Sequence, residues 1–253
     1  MKYLFLSLGL ASIAACGSSP SGPSTLNLVS TPTGTGSFDV SFNSGADIYT
    51  VEIEGDMDLL FGDPALDLNT FDRSSNPISG TGMYASIGDQ SSVSLLQTEG
   101  AINLTAAQYQ RLTAGPVAQS GVVNLSGNYI AFLTNPVDDT LTFIADGDAA
   151  LTVNLNNATV SGEVTNRILR NKDTIVPIGT TLADLTLNST NLSSNGTFSG
   201  STSGGGFAAS TVTDASYQGL IAGPNSEEAV GVVTLRHLTA ATIDETGIFA
   251  FGH

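Results

Sequence analysis

The chain has little cysteine, tryptophan or basic charge. Its 253 residues include one Cys, no Trp, and 7 Lys and Arg against 23 Asp and Glu, which gives a formal charge of −16. A single cysteine excludes a disulfide scaffold. The shortage of basic residues excludes a nucleic-acid binder, because such a protein must displace the counterions of the phosphate backbone. We therefore expect no nucleic-acid partner.

Residue types that carry catalysis or bind metals are also scarce. The two histidines are His237 and His253, and we interpret His237 as a surface histidine at the end of a strand. Residues 200–204 place Thr202 where the nucleophile elbow of a hydrolase needs serine. The acidic cluster over residues 56–67 lacks the regular spacing of a calcium loop, so we interpret it as a solvated loop. We expect no catalytic site, no metal site and no non-covalent cofactor.

Small and polar residues are abundant instead. The chain holds 28 Gly, and only 12% of its residues are charged and 7% aromatic. Glycine together with many Ser, Thr and Asn is typical of an all-β protein with many turns. A chain of this length can bury a sizeable core without disulfides.

Residues 1–15 predict a lipoprotein signal peptide. Lys2 precedes an apolar run that is too short to span a bilayer. The stretch Ile13-Ala14-Ala15-Cys16 then resembles a bacterial lipobox, in which the cysteine is lipidated and becomes the first residue of the mature chain. The alternative is an ordinary signal peptide with an Ala-x-Ala-like cleavage site and a chance cysteine.

A lipid on Cys16 would anchor the mature protein. Two or more acyl chains, palmitate among them, hold a protein durably on a membrane. Gly17 rather than Asp after the cysteine favours the outer membrane, and residues 16–24 predict a flexible tether rich in Ser and Pro. Loss of Lys2 with the signal peptide would change the formal charge from −16 to −17.

The first part of the mature chain already shows β-strand patterns. Residues 37–42 and 49–54 alternate between apolar and polar side chains, and residues 83–97 predict a hairpin that turns at Gly88-Asp89. Residues 105–112 are the best candidate for a helix, which Thr105 would cap.

From Gly121 onward the strand signals become regular. We predict strands at about 121–133, 139–145, 149–156, 158–165, 182–188, 195–202, 206–222, 229–238 and 246–251. Asp146-Gly147, Asn156-Asn157 and Asn195-Gly196 predict tight turns, and residues 166–177 predict a longer loop with a helical turn at 168–172. About eight strands with tight turns indicate an antiparallel up-and-down barrel.

A transmembrane barrel is the alternative architecture, because it also has alternating strands. It needs an outward apolar band and two aromatic girdles. This chain has no Trp and carries polar residues at alternate positions, as at Thr152 and Asn154. We therefore expect a barrel in water whose apolar side chains point inward.

One stretch resembles the barrel signature of transferrin-binding-protein-B-like surface lipoproteins. It reads Gly223-Pro224-Asn225-Ser226-Glu227-Glu228-Ala229-Val230-Gly231. In that pattern, Gly-Pro-Asn-Ala-x-Glu-x-x-Gly, Ser226 replaces the usual alanine. Ile221 and Ala222 stand where the family commonly has aromatics. Residues 151–162 and 198–200 also resemble family strands, so the resemblance covers about 121–253. We interpret the motif residues as architectural, with Glu228 bonding loop amides; they are Gly219, Gly223, Pro224, Asn225, Glu228 and Gly231.

The resemblance implies an organisation and a function. The signal peptide and tether would be followed by a β-rich, handle-like domain over 25–118 and an eight-stranded barrel over 119–253. The protein would be a lipid-anchored, cell-surface lipoprotein of the outer membrane whose barrel and handle loops bind a protein or an iron or haem carrier. A TonB-dependent receptor would be a further partner. The alternative is a structural envelope lipoprotein, or an accessory to a membrane transporter, with no diffusible ligand. We do not expect an enzyme.

Overall fold

Every regular element in the described part of the chain is a β-strand. The computed structural model describes residues 24–30, 38–43, 48–53, 57–61, 71–76, 81–98, 104–113, 120–137, 140–208, 210–239 and 242–252. For β1–β5 it gives strand bounds and backbone pairing. The predicted signal peptide and Cys16 lie outside the described residues.

The first eight strands form two separate sheets. The strands are β1 (Ser24–Ser30), β2 (Phe38–Asn43), β3 (Ile48–Ile53), β4 (Met57–Phe61), β5 (Asp72–Asn76), β6 (Thr81–Ile87), β7 (Ser91–Thr98) and β8 (Leu104–Arg111). β2, β3 and β4 form a three-stranded sheet. The others form a five-stranded sheet in the order β1-β8-β7-β6-β5. The predicted hairpin that turns at Gly88-Asp89 is confirmed as β6 and β7.

Eight of the remaining nine strands form a closed antiparallel barrel. The nine are β9 (Val122–Thr134), β10 (Leu141–Asn154), β11 (Thr159–Asn171), β12 (Pro177–Thr181), β13 (Leu185–Asn191), β14 (Thr197–Gly204), β15 (Thr211–Ala222), β16 (Glu228–Leu238) and β17 (Thr242–Phe251). Each barrel strand pairs with the next, and β17 pairs with β9 to close the ring. β12 pairs only with the end of β11. The predicted up-and-down barrel is confirmed, whereas the domain boundaries at 25–118 and 119–253 stay a prediction.

Residues 105–112, predicted as a helix, form strand β8 instead. β8 lies between β1 and β7 and pairs with both. Its side chains alternate, because Ala107 and Tyr109 face the barrel while Ala106 and Gln108 are buried on the other face. Pairing on both edges outweighs helix propensities, which differ by less than about 1 kcal/mol per residue among ordinary residues.

The predicted turn at Asp146-Gly147 is also wrong, because both residues lie inside β10. The ladder between β10 and β11 is irregular between Asp146 and Asp148. A Cβ on Gly147 would lie 2.7 Å from the carbonyl oxygen of Thr165, so glycine is needed for this close approach. Asp146 pairs with Arg170 on the neighbouring strand. Asp-Gly marks a bulge here rather than a hairpin.

The loop predicted over 166–177 is shorter than expected. β11 continues to Asn171, which replaces the predicted helical turn at 168–172 with strand, and β12 follows at Pro177. The predicted turns at Asn156-Asn157 and Asn195-Gly196 are confirmed between β10 and β11 and between β13 and β14.

Glycines and aromatic rings fill the barrel lumen together. Gly219 and Gly231 pair with each other across β15 and β16. A Cβ on Gly219 would lie 2.6 Å from Cζ of Phe198, and one on Gly231 would lie 2.4 Å from Cζ of Phe249. The same relation holds for Gly200 with Tyr217 and for Gly247 with Tyr129. At each of these positions the ring occupies the volume that a side chain on the glycine would need. Packing therefore explains why the motif has glycine at positions 219 and 231.

The outer surface of the barrel has an apolar side that the five-stranded sheet covers. Tyr84 and Tyr109 of that sheet pack against barrel residues that include Phe132, Val232 and Ile248. The rings of Tyr84 and Phe132 lie 5.7 Å apart between centroids. The sheet and the barrel therefore share a second apolar core outside the lumen.

The side of the barrel away from the sheet is polar. Its exposed outward residues on β13 and β14 include Thr186, Ser199, Ser201 and Ser203. The lumen, in contrast, holds a continuous cluster of apolar side chains. This is the arrangement expected of a barrel in water and the reverse of a transmembrane barrel.

We expect Gly231→Ala to destabilise the fold by about 1–3 kcal/mol, the usual cost of overpacking. The added Cβ would meet the ring of Phe249 and the carbonyl oxygen of Gln218, the latter at 2.2 Å. Urea unfolding measures the effect. Gly82→Ala is the matched control, because a Cβ there has no neighbour within 4 Å, and equal losses in both variants would contradict the packing argument.

Candidate functional site

The two ends of the barrel differ in their loops. We call the end that carries the connections after β9, β11, β14 and β16 the upper end, and the end with the turns 155–158, 192–196 and 223–227 the lower end. Loops on a rigid scaffold are the usual place for binding residues.

Exposed apolar side chains concentrate at the upper end. Among the described residues, seven large hydrophobic side chains are exposed, and four of them are Val137, Val176, Ile178 and Leu238. Val137 follows β9, Val176 and Ile178 belong to the β11–β12 hairpin, and Leu238 ends β16. Val137 is 86% exposed. Exposed apolar side chains mark a protein-binding surface where they lie together rather than singly, which makes this end the candidate binding surface.

A buried carboxylate, Glu245, organises the inside of the upper end. Its Oε1 accepts hydrogen bonds from the Tyr129 hydroxyl at 2.6 Å and from Nη2 of Arg167. Its Oε2 lies 2.7 Å from Nε2 of His237. Glu245 and both of its nitrogen partners have fully buried side chains. The carboxylate is thus held by three partners in a lumen that is otherwise apolar.

This environment shifts the pKa values of Glu245 and Tyr129. Burial by itself would raise the pKa of Glu245, but the charge of Arg167 and the hydrogen bonds from His237 and Tyr129 lower it from 4.5 to about 2. Burial, and then the charge of Glu245, raise the pKa of Tyr129 well above its ordinary value. Glu245 is therefore ionised and Tyr129 neutral at neutral pH.

Arg167 joins this network to two loops of the upper end. Its Nη1 donates to the carbonyl oxygen of Ala183 at 3.0 Å and to that of Gly205 at 2.5 Å. Ala183 lies between β12 and β13, and Gly205 lies between β14 and β15. One buried guanidinium therefore holds both loops from the inside.

The connection after β14 closes the upper end of the lumen. We call residues 205–208 the cap loop. Phe207 of this loop meets the imidazole of His237 edge to face, with ring centroids 5.0 Å apart at 72°. A cleft of about 510 Å³ lies against the cap loop, and its lining includes Thr202, Phe207 and Val212.

The structure corrects the interpretation of His237 as a surface residue. The residue is fully buried, because it shares the inward face of β16 with Val233 and Leu235, which lie in the lumen cluster. Sequence analysis also missed Arg167 and Glu245. The alternation of Ile243, Glu245 and Gly247 was the one available signal, since it places the carboxylate on the apolar side of β17.

The motif residues lie at the lower end, away from the cap loop. Gly223, with φ of +84°, begins the turn between β15 and β16, where Pro224 and Asn225 follow. The backbone N–H of Asn225 donates to Oε2 of Glu227 at 2.7 Å. Glu228 opens β16 and is buried.

Glu228 connects the barrel to the five-stranded sheet. Its Oε1 accepts from the backbone N–H groups of Asp89 and Gln90 at 3.0 and 3.1 Å, and its Oε2 accepts from the Ser91 hydroxyl at 2.8 Å. Arg111 of β8 adds a second connection by donating to the carbonyl oxygen of Ile221 at 2.6 Å. The turn between β6 and β7 is therefore fixed to the lower end.

The described residues contain no group of three or more His, Cys, Asp or Glu side chains that could hold a metal ion. The acidic cluster over 56–67 falls on residues whose side chains lie outside the description. Within the described ranges, no helix has the length and apolar character to cross a membrane.

Comparison with known proteins supports the resemblance at the level of the fold. No family model and no curated protein matches the chain. The structure of transferrin binding protein B from serogroup B Neisseria meningitidis aligns with a TM-score of 0.50 and 16% identity, over 89% of this chain and 43% of that one. A mutant transferrin binding protein B from Haemophilus parasuis aligns with a TM-score of 0.49 and 11% identity, over 85% and 45%. The chain thus spans less than half of either protein. The Neisseria structure confirms the predicted likeness of fold.

We expect Glu228→Ala to lower the free energy of unfolding by about 1–3 kcal/mol, because it leaves two part-buried amides and a buried hydroxyl without their charged acceptor. Urea unfolding measures the loss, and limited proteolysis within β6 and β7 reports release of the sheet. Glu227→Ala is the neighbouring control, since Glu227 accepts a hydrogen bond from Asn225 within its own turn. This substitution should cost less than about 1 kcal/mol. Equal effects in the two variants would refute the role assigned to Glu228.

Glu245 also predicts how stability depends on pH. A carboxylate whose pKa falls from 4.5 unfolded to about 2 folded stabilises the fold above pH 4.5, and this stabilisation is lost as the pH falls toward 2. The loss amounts to about 3 kcal/mol.

Urea unfolding between pH 7 and pH 2.5 tests this dependence. Glu245→Gln should be less stable at neutral pH, because Arg167 loses its counter-ion, and its stability should change less on acidification. Glu163→Gln, at an exposed position on β11, should keep the wild-type dependence. A wild-type slope in Glu245→Gln would show that another group is responsible.

Proposed function

We propose that this chain is a lipid-anchored lipoprotein of the outer-membrane surface that binds a partner protein at the upper end of its barrel. The observation that carries the proposal is the position of four exposed apolar side chains on the loops of that one end. The lipobox-like sequence at Cys16 supports the anchor.

The architecture supports binding on the outside of the barrel rather than within it. Aromatic and aliphatic side chains occupy the lumen, so a ligand is met by loops. The five-stranded sheet is fixed to the lower end through Glu228. The upper end is thus the part of a rigid unit where loops carry exposed apolar groups.

The proposed partner class is an iron- or haem-carrier protein. The fold is similar to that of a protein named for binding transferrin, and an acidic chain with a formal charge of −16 favours a partner with a basic contact surface. Transfer of the cargo to a TonB-dependent receptor in the same membrane belongs to the proposal.

Intact cells that produce the full chain should bind iron-loaded transferrin or haemoglobin, measured with labelled carrier. The double variant Val176→Asp, Ile178→Asp should lower the affinity at least tenfold, because it places charge in the apolar contact surface. Val122→Asp is the control, since Val122 is 52% exposed but lies at the lower end.

The anchor is tested in the same cells. Cys16→Ser should remove lipid labelling, release the protein from the membrane fraction and abolish binding to cells. A Cys16→Ser protein that stays in the membrane would refute the anchor. No binding of either carrier by wild-type cells would favour the structural alternative.

A further inference from the structure

We propose that proton uptake by His237 opens the cap loop, so that the upper end of the barrel responds to pH. The inference concerns the chain itself and is independent of which partner it binds. It starts from the closed arrangement, in which the imidazole is fully buried and the ring of Phe207 covers one edge.

The charges around His237 balance only while the imidazole is neutral. The titratable and charged groups that face it are Glu245 from β17, with Arg167 from β11 and Tyr129 from β9 bonded to the same carboxylate. Its neighbours across the two adjoining strands, Val212 and Ile243, are apolar. Arg167 and Glu245 therefore neutralise each other, and no further carboxylate faces the ring from these elements.

A second proton on His237 disturbs this balance in two ways. It leaves two buried cations, Arg167 and the imidazolium, to share the single carboxylate of Glu245, and a net buried charge is costly. It also creates an N–H at Nδ1, an atom that is buried and has no hydrogen-bond partner in the described structure. Access of water to Nδ1 would satisfy this N–H, so protonation favours an arrangement in which water reaches the ring.

The cap loop is the element that can give water access. Phe207 separates the imidazole from the cleft of about 510 Å³. Three consecutive glycines, Gly204, Gly205 and Gly206, precede Phe207, and the first two have φ of +79° and +81°. Glycine gives this segment the backbone freedom to swing Phe207 outward. Two backbone hydrogen bonds tie the loop to Ala183 and Asp184, and a third contact, from Arg167 to the carbonyl oxygen of Gly205, belongs to the network that protonation disturbs.

The size of the effect follows from linkage. Histidine is the side chain whose charge changes between about pH 5 and 8. Because we propose that the open loop is the state that takes up the proton, the opening equilibrium should rise on the order of tenfold as the pH falls from 7.5 to 5.5.

Hydrogen–deuterium exchange of the full chain tests this expectation. After correction for the intrinsic pH dependence of exchange, peptides that cover residues 203–208 should exchange about tenfold faster at pH 5.5 than at pH 7.5. Peptides that cover the lower-end turn at 193–197 should not change. An unchanged rate at 203–208 in the wild-type protein overturns the proposal.

Three variants separate the switch from general instability. His237→Gln keeps a donor for Glu245 but takes up no proton, so its cap loop should lose the pH response. His253→Gln, the other histidine of the chain, should keep it. Phe207→Ala should exchange rapidly at both pH values. A full pH response in His237→Gln, or its loss in His253→Gln, would overturn the assignment to His237.

Discussion

The inside of an eight-stranded barrel has room for little more than its own side chains, and this limit shapes the whole molecule. Tyr129 and Phe249 fit because Gly247 and Gly231 stand against them without a Cβ. The filled lumen makes the barrel a rigid scaffold. It also moves any binding surface to the loops and the outer face, where the chain places its exposed apolar residues and its five-stranded sheet.

Two buried carboxylates, Glu245 and Glu228, help to hold loops and turns that lie outside the apolar cores. Glu245 lies inside the upper end, and its partner Arg167 also donates to a carbonyl oxygen in each of two loops. Glu228 lies at the lower end, where it accepts hydrogen bonds from the turn between β6 and β7. Each carboxylate is surrounded by donors, as a buried charge must be. The proposed pH response arises at the first of these sites because it holds the imidazole of His237.

Much of the fold could be predicted because alternation and turn residues are local. The barrel strands and the hairpin at Gly88-Asp89 follow from them. The failures also have local causes. Residues 105–112 carry the composition of a helix but become a strand through pairing on both edges. Asp146-Gly147 has the composition of a turn, yet its glycine permits close approach to Thr165 at a bulge.

The candidate site was harder to predict, because its members lie on separate strands. The sequence by itself determined the strand pattern, the lipobox-like segment at Cys16 and the motif that includes Gly219 and Gly231, whereas the packing of these two glycines against Phe198 and Phe249 is seen in the structure. Only the tertiary structure decided that Arg167, His237 and Glu245 meet in the lumen. Their contact depends on the closure of β17 against β9 and on the inward register of three strands far apart in the chain. The alternation around Glu245 indicates an inward carboxylate, but no short segment shows which partners it meets.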